Sequence, residues 1–430
     1  MKKTATPLYD AVKKYVGSRP TRFHMPGHKG KGGGLYKSAK FDVTELDFSD
    51  DLLKSEGVIK ESEQLFADTY GVDSALIFTT GATGGLFATL YAVKCRTDKL
   101  ILSKNSHKSV FNAMSVLGIE PCFIDVEYGD GLPNVLTANK VKEAIDRYPD
   151  AGAVLITTPD YFGRIVDINA IKEAIGSRML VADSAHGAHF VYTSDLVDRV
   201  ENVADIAVLS MHKTLPCFTG GAIVTAKEDY VTNLKKGRRL FHTSSPQYLT
   251  MVSMDYARGL MTQKGVHGYR KMKEKLAKFN FQKLDNYDYT KLVLKGGVKL
   301  EQKLKSCGIY PECVCGDWVV LILTIGDERY LKKVYKIAKS ENQSVVDTNY
   351  FDAPRLERVC KFSECISCET KAVDIENSVG EVLAEEVGLY PPGVPQFFRG
   401  ERITEEGKEF LLKHKKSLFG VDSNKVIVLK

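Results

Sequence analysis

No apolar run in this chain approaches the length needed to cross a membrane, and the start, Met1 to Pro7, lacks the apolar segment of a secretory signal. A cytoplasmic protein without membrane contact is expected. Basic residues are not gathered: 60 Lys and Arg stand against 54 Asp and Glu along the whole chain, without the clustered basic patch and interleaved aromatics that nucleic acid would require. Internal repeats and low-complexity tracts are also missing, which sets aside a solenoid or a disordered linker. Cysteines are few and uneven, with Cys307, Cys313, Cys315, Cys360, Cys365 and Cys368 in the C-terminal third. Cys365-Ile366-Ser367-Cys368 has the spacing of half a zinc knuckle, but Cys313-Val314-Cys315 is too tight to complete it. Free thiols and no metal are expected.

What is present is a soluble globular composition, 43% hydrophobic and 27% charged, in a chain of 430 residues, long enough for a large domain and a smaller one. From about residue 61 strand and helix patterns alternate as in a doubly wound sheet. The run Asp205 to Leu209 is apolar and of strand length, and it stops on Ser210-Met211-His212-Lys213-Thr214. Polar side chains at that point lie at the mouth of a sheet, where open α/β folds bind ligands. A lysine there, partly desolvated and near other cations, loses enough basicity to attack an aldehyde, and pyridoxal phosphate is the obvious one. Met179 to Asp183 is a second apolar strand ending on a carboxylate, 30 residues before Lys213. That separation leaves room for one crossover and the next parallel strand. A buried acid beside a pyridine nitrogen keeps it protonated, and Asp183 is placed for that work. Gly81, Ala82 and Thr83 follow the strand Ala75 to Phe78 and open a helix, a turn suited to a phosphate.

Five blocks carry a family resemblance: His24 to Gly30, Asn105 to Ser109, Asp183 to His189, Ser210 to Lys213, and Tyr390 to Pro395. In this order, and in register from about residue 5 to residue 404, the chain resembles the bacterial ornithine/lysine/arginine decarboxylases. The resemblance implies the aspartate-aminotransferase-like fold type I: a large domain with a mostly parallel sheet and a smaller α+β C-terminal domain. It divides the chain into an N-terminal segment over residues 1–60, a large cofactor domain over 61–285 and a small domain over 286–430. It also implies pyridoxal phosphate, a basic amino acid as substrate, the corresponding amine as product for polyamine metabolism, and a homodimer with shared active sites. His107 would stack on the cofactor ring, His186 would support the ring or its oxygen, and Ser210 and His212 would help grip the phosphate. Ser245, in the segment His242 to Tyr248, would reach the neighbouring subunit's phosphate. The match starts so early that the extra N-terminal domain of the longest relatives, and rings built through it, are not expected. One of Glu45, Asp47, Asp50 and Asp51 would meet the substrate's distal cation. Ser184, Met211 and Gly220 depart from the residues the family commonly carries. The same apparatus serves transamination and other lyase steps, and a catalytically silent regulatory relative is the other class of reading. The ordered blocks favour decarboxylation, and the intact Lys213, Asp183 and His107 argue against silence.

Overall fold

A computed structural model describes residues 2–31, 34–129, 132–193, 199–281, 286–340, 353–390 and 393–430. Seven strands assemble into one sheet: β1 (Ser74–Phe78), β2 (Lys99–Ser103), β3 (Glu120–Ile124), β4 (Ala153–Thr157), β5 (Met179–Asp183), β6 (Ile206–Leu209) and β7 (Ala222–Ala226). Their order is β1-β7-β6-β5-β4-β2-β3. The neighbours from β6 to β3 run parallel, and β7 is antiparallel to both β1 and β6. Strands β5, β6 and β7 are buried at every residue, as strands covered on both faces must be, which is why they read as unbroken apolar runs.

Six helices matter here: α1 (Pro7–Gly17), α2 (Val58–Tyr70), α3 (Gly81–Lys94), α4 (Lys108–Leu117), α5 (Met211–Thr214) and α6 (Tyr248–Leu276). Helix α3 lies so close over the sheet that a Cβ at Gly85 would come 2.8 Å from Val224 and 3.1 Å from Val208. Helix α6 is continuous over 29 residues. Its buried Asp255 takes the N–H groups of Leu8 and Tyr9, both at 3.1 Å, and so supplies the cap that Thr6 does not give α1. The N-terminal segment is thereby tied to the large domain.

Beyond the large sheet, β8 (Lys291–Lys295), β9 (Cys313–Cys315) and β10 (Trp318–Ile322) form an antiparallel sheet in the order β8-β10-β9, packed around the buried Trp318. Two further three-stranded antiparallel sheets follow, one built on Thr370–Asp374 and Lys425–Leu429, the other on Val387–Leu389 and Val394–Phe397. The proline turn expected at Tyr390 to Pro395 falls partly outside the described residues, at Pro391 and Pro392. Past it, the Gly393 carbonyl accepts the Lys108 N–H at 3.2 Å, which fastens the small domain beside His107.

The cysteine pairs form no metal cage. Cys360 and Cys365 bring their sulfurs to 3.5 Å and Cys313 and Cys315 to 3.7 Å, and among the described residues no group of three or more His, Cys, Asp or Glu is arranged to hold a metal ion.

Candidate active site

Parallel register places the ends of three strands side by side, with Thr157 of β4 opposite Asp183 of β5 and Asp183 opposite Val208 of β6. The chain leaves β6 at Ser210, turns once through α5 and presents Lys213 over that edge. Among its described residues, the crossover between β5 and β6 holds a 3₁₀ turn at Phe190–Tyr192 and a four-residue helix at Val200–Val203. The first turn of α3 faces the same place from above β1. Together they bound a cavity of about 660 Å³, lined by Gly81, Ala82, Thr83, His107, Asp183, His186, Ser210, His212 and Lys213. Every residue expected at the cofactor except Ser245 is in that set.

Each side chain has a local reason to point inward. Gly81 takes a φ of +69° and gives its N–H to the Gly220 carbonyl at 2.8 Å. The next amides, of Ala82 and Thr83, have no partner within their own helix and no side-chain cap beyond it. Gly220 itself could not be the more usual, larger residue here: its φ is +95° and a Cβ would meet the Thr79 carbonyl at 2.9 Å. His107 is the N-cap of α4, its Nδ1 accepting the Ser109 N–H at 3.2 Å with the Ser109 hydroxyl 2.7 Å away. That bond leaves Nε2 for the cavity. Burial, with the nearby ammonium groups of Lys213 and Lys108, pushes the His107 pKa down to about 4, so the ring is neutral at physiological pH. His212 is steadied by the Gly221 carbonyl, 3.1 Å from its Nδ1, and by Ser210 Oγ at 3.3 Å.

Asp183 is 3% exposed and accepts the Ala185 N–H at 3.2 Å. Burial raises its pKa, against the opposing pull of Lys213 and that N–H. Burial likewise lowers the pKa of Lys213, with Asp183 and then Glu312 resisting the shift. Desolvation thus favours the neutral amine that nucleophilic attack requires. Lys213 Nζ lies 3.1 Å from His186 Nε2, and Lys291 Nζ lies 2.7 Å from the other ring nitrogen of His186.

The sequence is matched by the family profile described as Orn/Lys/Arg decarboxylase, major domain, over residues 6–294, and by that of the family's C-terminal domain over residues 347–417. The chain belongs to the Orn/Lys/Arg decarboxylase family. It is 28% identical over 467 residues to an arginine decarboxylase of Bacillus subtilis (strain 168), a match covering 96% of this chain and 94% of the relative. It is 30% identical over 452 residues to the uncharacterized protein YaaO of the same organism, covering 94% and 93%. Its fold superposes on the Francisella novicida lysine decarboxylase LdcF with a TM-score of 0.80 at 18% identity, over 99% of this chain and 81% of that one.

The Orn/Lys/Arg decarboxylases are carboxy-lyases, and membership implies pyridoxal phosphate and a basic amino acid. The residues present fit that cofactor: Asp183 is a buried carboxylate destabilised by its own burial, a condition that a protonated ring nitrogen would relieve. The α3 amides fit its phosphate.

Two sets of expected residues lie outside this chain's own cavity. Ser245 is exposed, takes its own N–H to Thr243 Oγ1 at 3.1 Å and lies outside the cavity. The acids Glu45, Asp47, Asp50 and Asp51 do not line the cavity either. Asp50 is occupied with the backbone, accepting N–H groups from Glu56, Asp51, Gly57 and Ile59 at 2.8 to 3.1 Å, which start α2. Burial pushes its pKa up, but those four bonds outweigh it and hold the carboxyl below its usual range. An Asp50→Ala variant should therefore lose stability, by about 0.5–2 kcal/mol as for other lost caps. The loss should be present at neutral pH and should shrink as acid protonates the wild-type carboxylate, because a depressed folded pKa stabilises only above the unfolded value. Urea unfolding at neutral and acid pH checks this; equal stability of both proteins at neutral pH would refute it.

Glu312 and Lys291 escaped the sequence reading. Glu312 stands at the mouth and accepts the Tyr161 hydroxyl at 2.9 Å. Tyr161 packs edge-on against His186, ring centres 5.2 Å apart. Lys291, 105 residues from His186 in sequence, is buried behind it. In a chain with 60 Lys and Arg, no motif marks that lysine.

Proposed function

We propose that this chain decarboxylates a basic amino acid with pyridoxal phosphate, and that Lys213 is the residue which binds the cofactor covalently. The observation that carries the reading is the convergence of Lys213, Asp183, His107 and the open N-terminus of α3 on one cavity. When bound, pyridoxal phosphate supplies the electron sink into which the bond to the departing carboxylate breaks.

The chain's own residues do the rest. The amides of Ala82 and Thr83, with Ser210 and His212 below, hold the phosphate. Asp183 holds the cofactor's nitrogen protonated, which makes the sink effective. His107, neutral and capped in place, covers the cofactor and keeps water from the reacting carbon. Lys213 or a neighbouring histidine returns a proton to Cα after carbon dioxide leaves. The reading makes the protein a homodimer in which Ser245 serves the neighbouring subunit, in keeping with its exposure outside its own cavity.

Glu312, which lines the cavity, would meet the substrate's distal cation from within the same chain. A hydrogen bond to a charged group is worth about 1.5–3 kcal/mol, so Glu312→Gln should raise KM roughly 10- to 100-fold and leave kcat less affected. The assay presents arginine, lysine and ornithine in turn, arginine first because curated relatives are arginine decarboxylases. Carbon dioxide together with the matching amine supports the reading; a keto acid in their place would refute it.

A further inference from the structure

Lys291 is buried to 1% exposure at the start of β8, and the fold makes room for it: a Cβ at Gly163, where φ is +87°, would come 2.7 Å from its Cγ. The acid nearest in sequence is turned away from it. Asp288 Oδ1 takes the Thr290 N–H at 2.9 Å and its hydroxyl at 2.8 Å, while Oδ2 lies 3.1 Å from His189 Nε2. The Lys291 amine instead meets His186 Nδ1 at 2.7 Å, with the Tyr161 ring centre 5.8 Å from Nζ. His186 Nε2 then meets Lys213 Nζ at 3.1 Å. Lys291 does not line the cavity.

Two lysines joined through one imidazole constrain each other. If Lys291 donates to Nδ1, a neutral His186 carries its proton on Nε2 and donates it to Lys213, whose amine must then be unprotonated. If Lys213 is protonated and donates to Nε2, the proton on Nδ1 points at Lys291, which must be the neutral one. The two arrangements hold the same number of protons. From this geometry we infer that Lys291 is a positioning residue that acts through His186 to keep Lys213 unprotonated, holding the proton that Lys213 gives up. The transfer balances within the chain: an N–H of Lys213 passes to Nε2 as the N–H at Nδ1 passes to Lys291, and no other bond changes.

The surrounding charges suit the exchange. Burial, and then Lys291, Lys213, His107 and His189, hold the His186 pKa well below its ordinary value, so the ring relays a proton without keeping one. Burial lowers Lys291 to about 8, with Asp288, Glu312 and Asp160 holding it up and Lys213 pressing it down. An amine that titrates there can both carry and release a proton near neutrality.

The inference rests on the cofactor reading above, and its test separates the two. The holoenzyme is stripped of pyridoxal phosphate, and the rate at which the added cofactor restores the visible absorption of its lysine-bound form is followed against pH. Lys291→Met leaves Lys213 to keep its own proton, so the midpoint should move up by about one pH unit and the rate at neutral pH should fall about tenfold. Lys291→Arg, which keeps a charged donor but cannot take up a proton, should fix the proton of His186 on Nε2 and bring the midpoint to the wild-type value or below it. In a His186→Gln background the Lys291→Met change should no longer move it. An unmoved midpoint in Lys291→Met, or an equal shift without His186, overturns the inference; a merely structural role would change amplitude and not midpoint. Should Lys291→Met fail to fold, the ¹⁵N shifts of His186 in wild-type protein stripped of cofactor, where Lys213 is a free amine, decide: a protonated Nε2 with a bonded, unprotonated Nδ1 supports the inference, and the reverse overturns it. Wild-type protein that never gains the absorption refutes the cofactor reading and the inference with it.

Discussion

Lys213→Ala should lower kcat by roughly 10²–10⁴-fold through loss of its proton transfer alone, and by more once the covalent tether is gone. The amine is a buried lysine with one ring nitrogen at 3.1 Å, so removing it breaks a defined contact. The α3 amides, Asp183 and His107 remain, and the variant should still take up pyridoxal phosphate, but with the absorption of the free aldehyde instead of the lysine-bound form. Circular dichroism should be unchanged, because α5 is a single turn whose packing rests on the buried Met211 and Thr214. Full turnover by this variant, with amine formed at the wild-type rate, would remove Lys213 from the chemistry.

Asp183→Asn should act in opposite directions on the cofactor-free and cofactor-bound protein. Without cofactor, the wild-type carboxyl is buried and its folded pKa is raised. Between the unfolded and folded values the native state holds the extra proton, so stability falls as pH rises through that window. The amide carries no such cost, and the variant without cofactor should be the more stable of the two at neutral pH and independent of pH where the wild type is not. With cofactor the order reverses. Removing one partner of a buried charge pair costs about 3–5 kcal/mol, so retention of pyridoxal phosphate should weaken by about 10²–10³-fold or more. Thermal melts with and without cofactor, at two pH values, read both effects. Equal gains in melting temperature on adding cofactor to each protein would show that Asp183 does not face the ring nitrogen.

What could be read without coordinates is what short-range chemistry writes into a short segment. Strands β5 and β6 announce themselves because both faces are covered, and each apolar run stops abruptly on a polar residue at the sheet edge. Parallel pairing then forces Asp183 and Lys213 together, since the segment between them has only the adjacent strand to reach. The Gly81 turn is legible for the same reason, as small residues between a strand and a helix. Glu312 and Lys291 are different. Each owes its place to an antiparallel sheet whose register is set by pairing between β8, β9 and β10, and nothing within five residues of either distinguishes it from a solvated charge. The acids around Asp50 are ambiguous for the converse reason, because a dense run of carboxylates serves equally well to start helices. Glycines at 265 and 268 lie within α6, where an added Cβ would come 3.0 Å from Tyr192 and 2.6 Å from Ile325, so they serve close packing.

The most direct test of the account is to find which lysine carries the cofactor. Protein incubated with pyridoxal phosphate is reduced with borohydride, digested, and mapped by mass spectrometry. A pyridoxyl group on Lys213 alone is the predicted result. A label spread over surface lysines, or fixed on another residue with Lys213 unmodified, would contradict it.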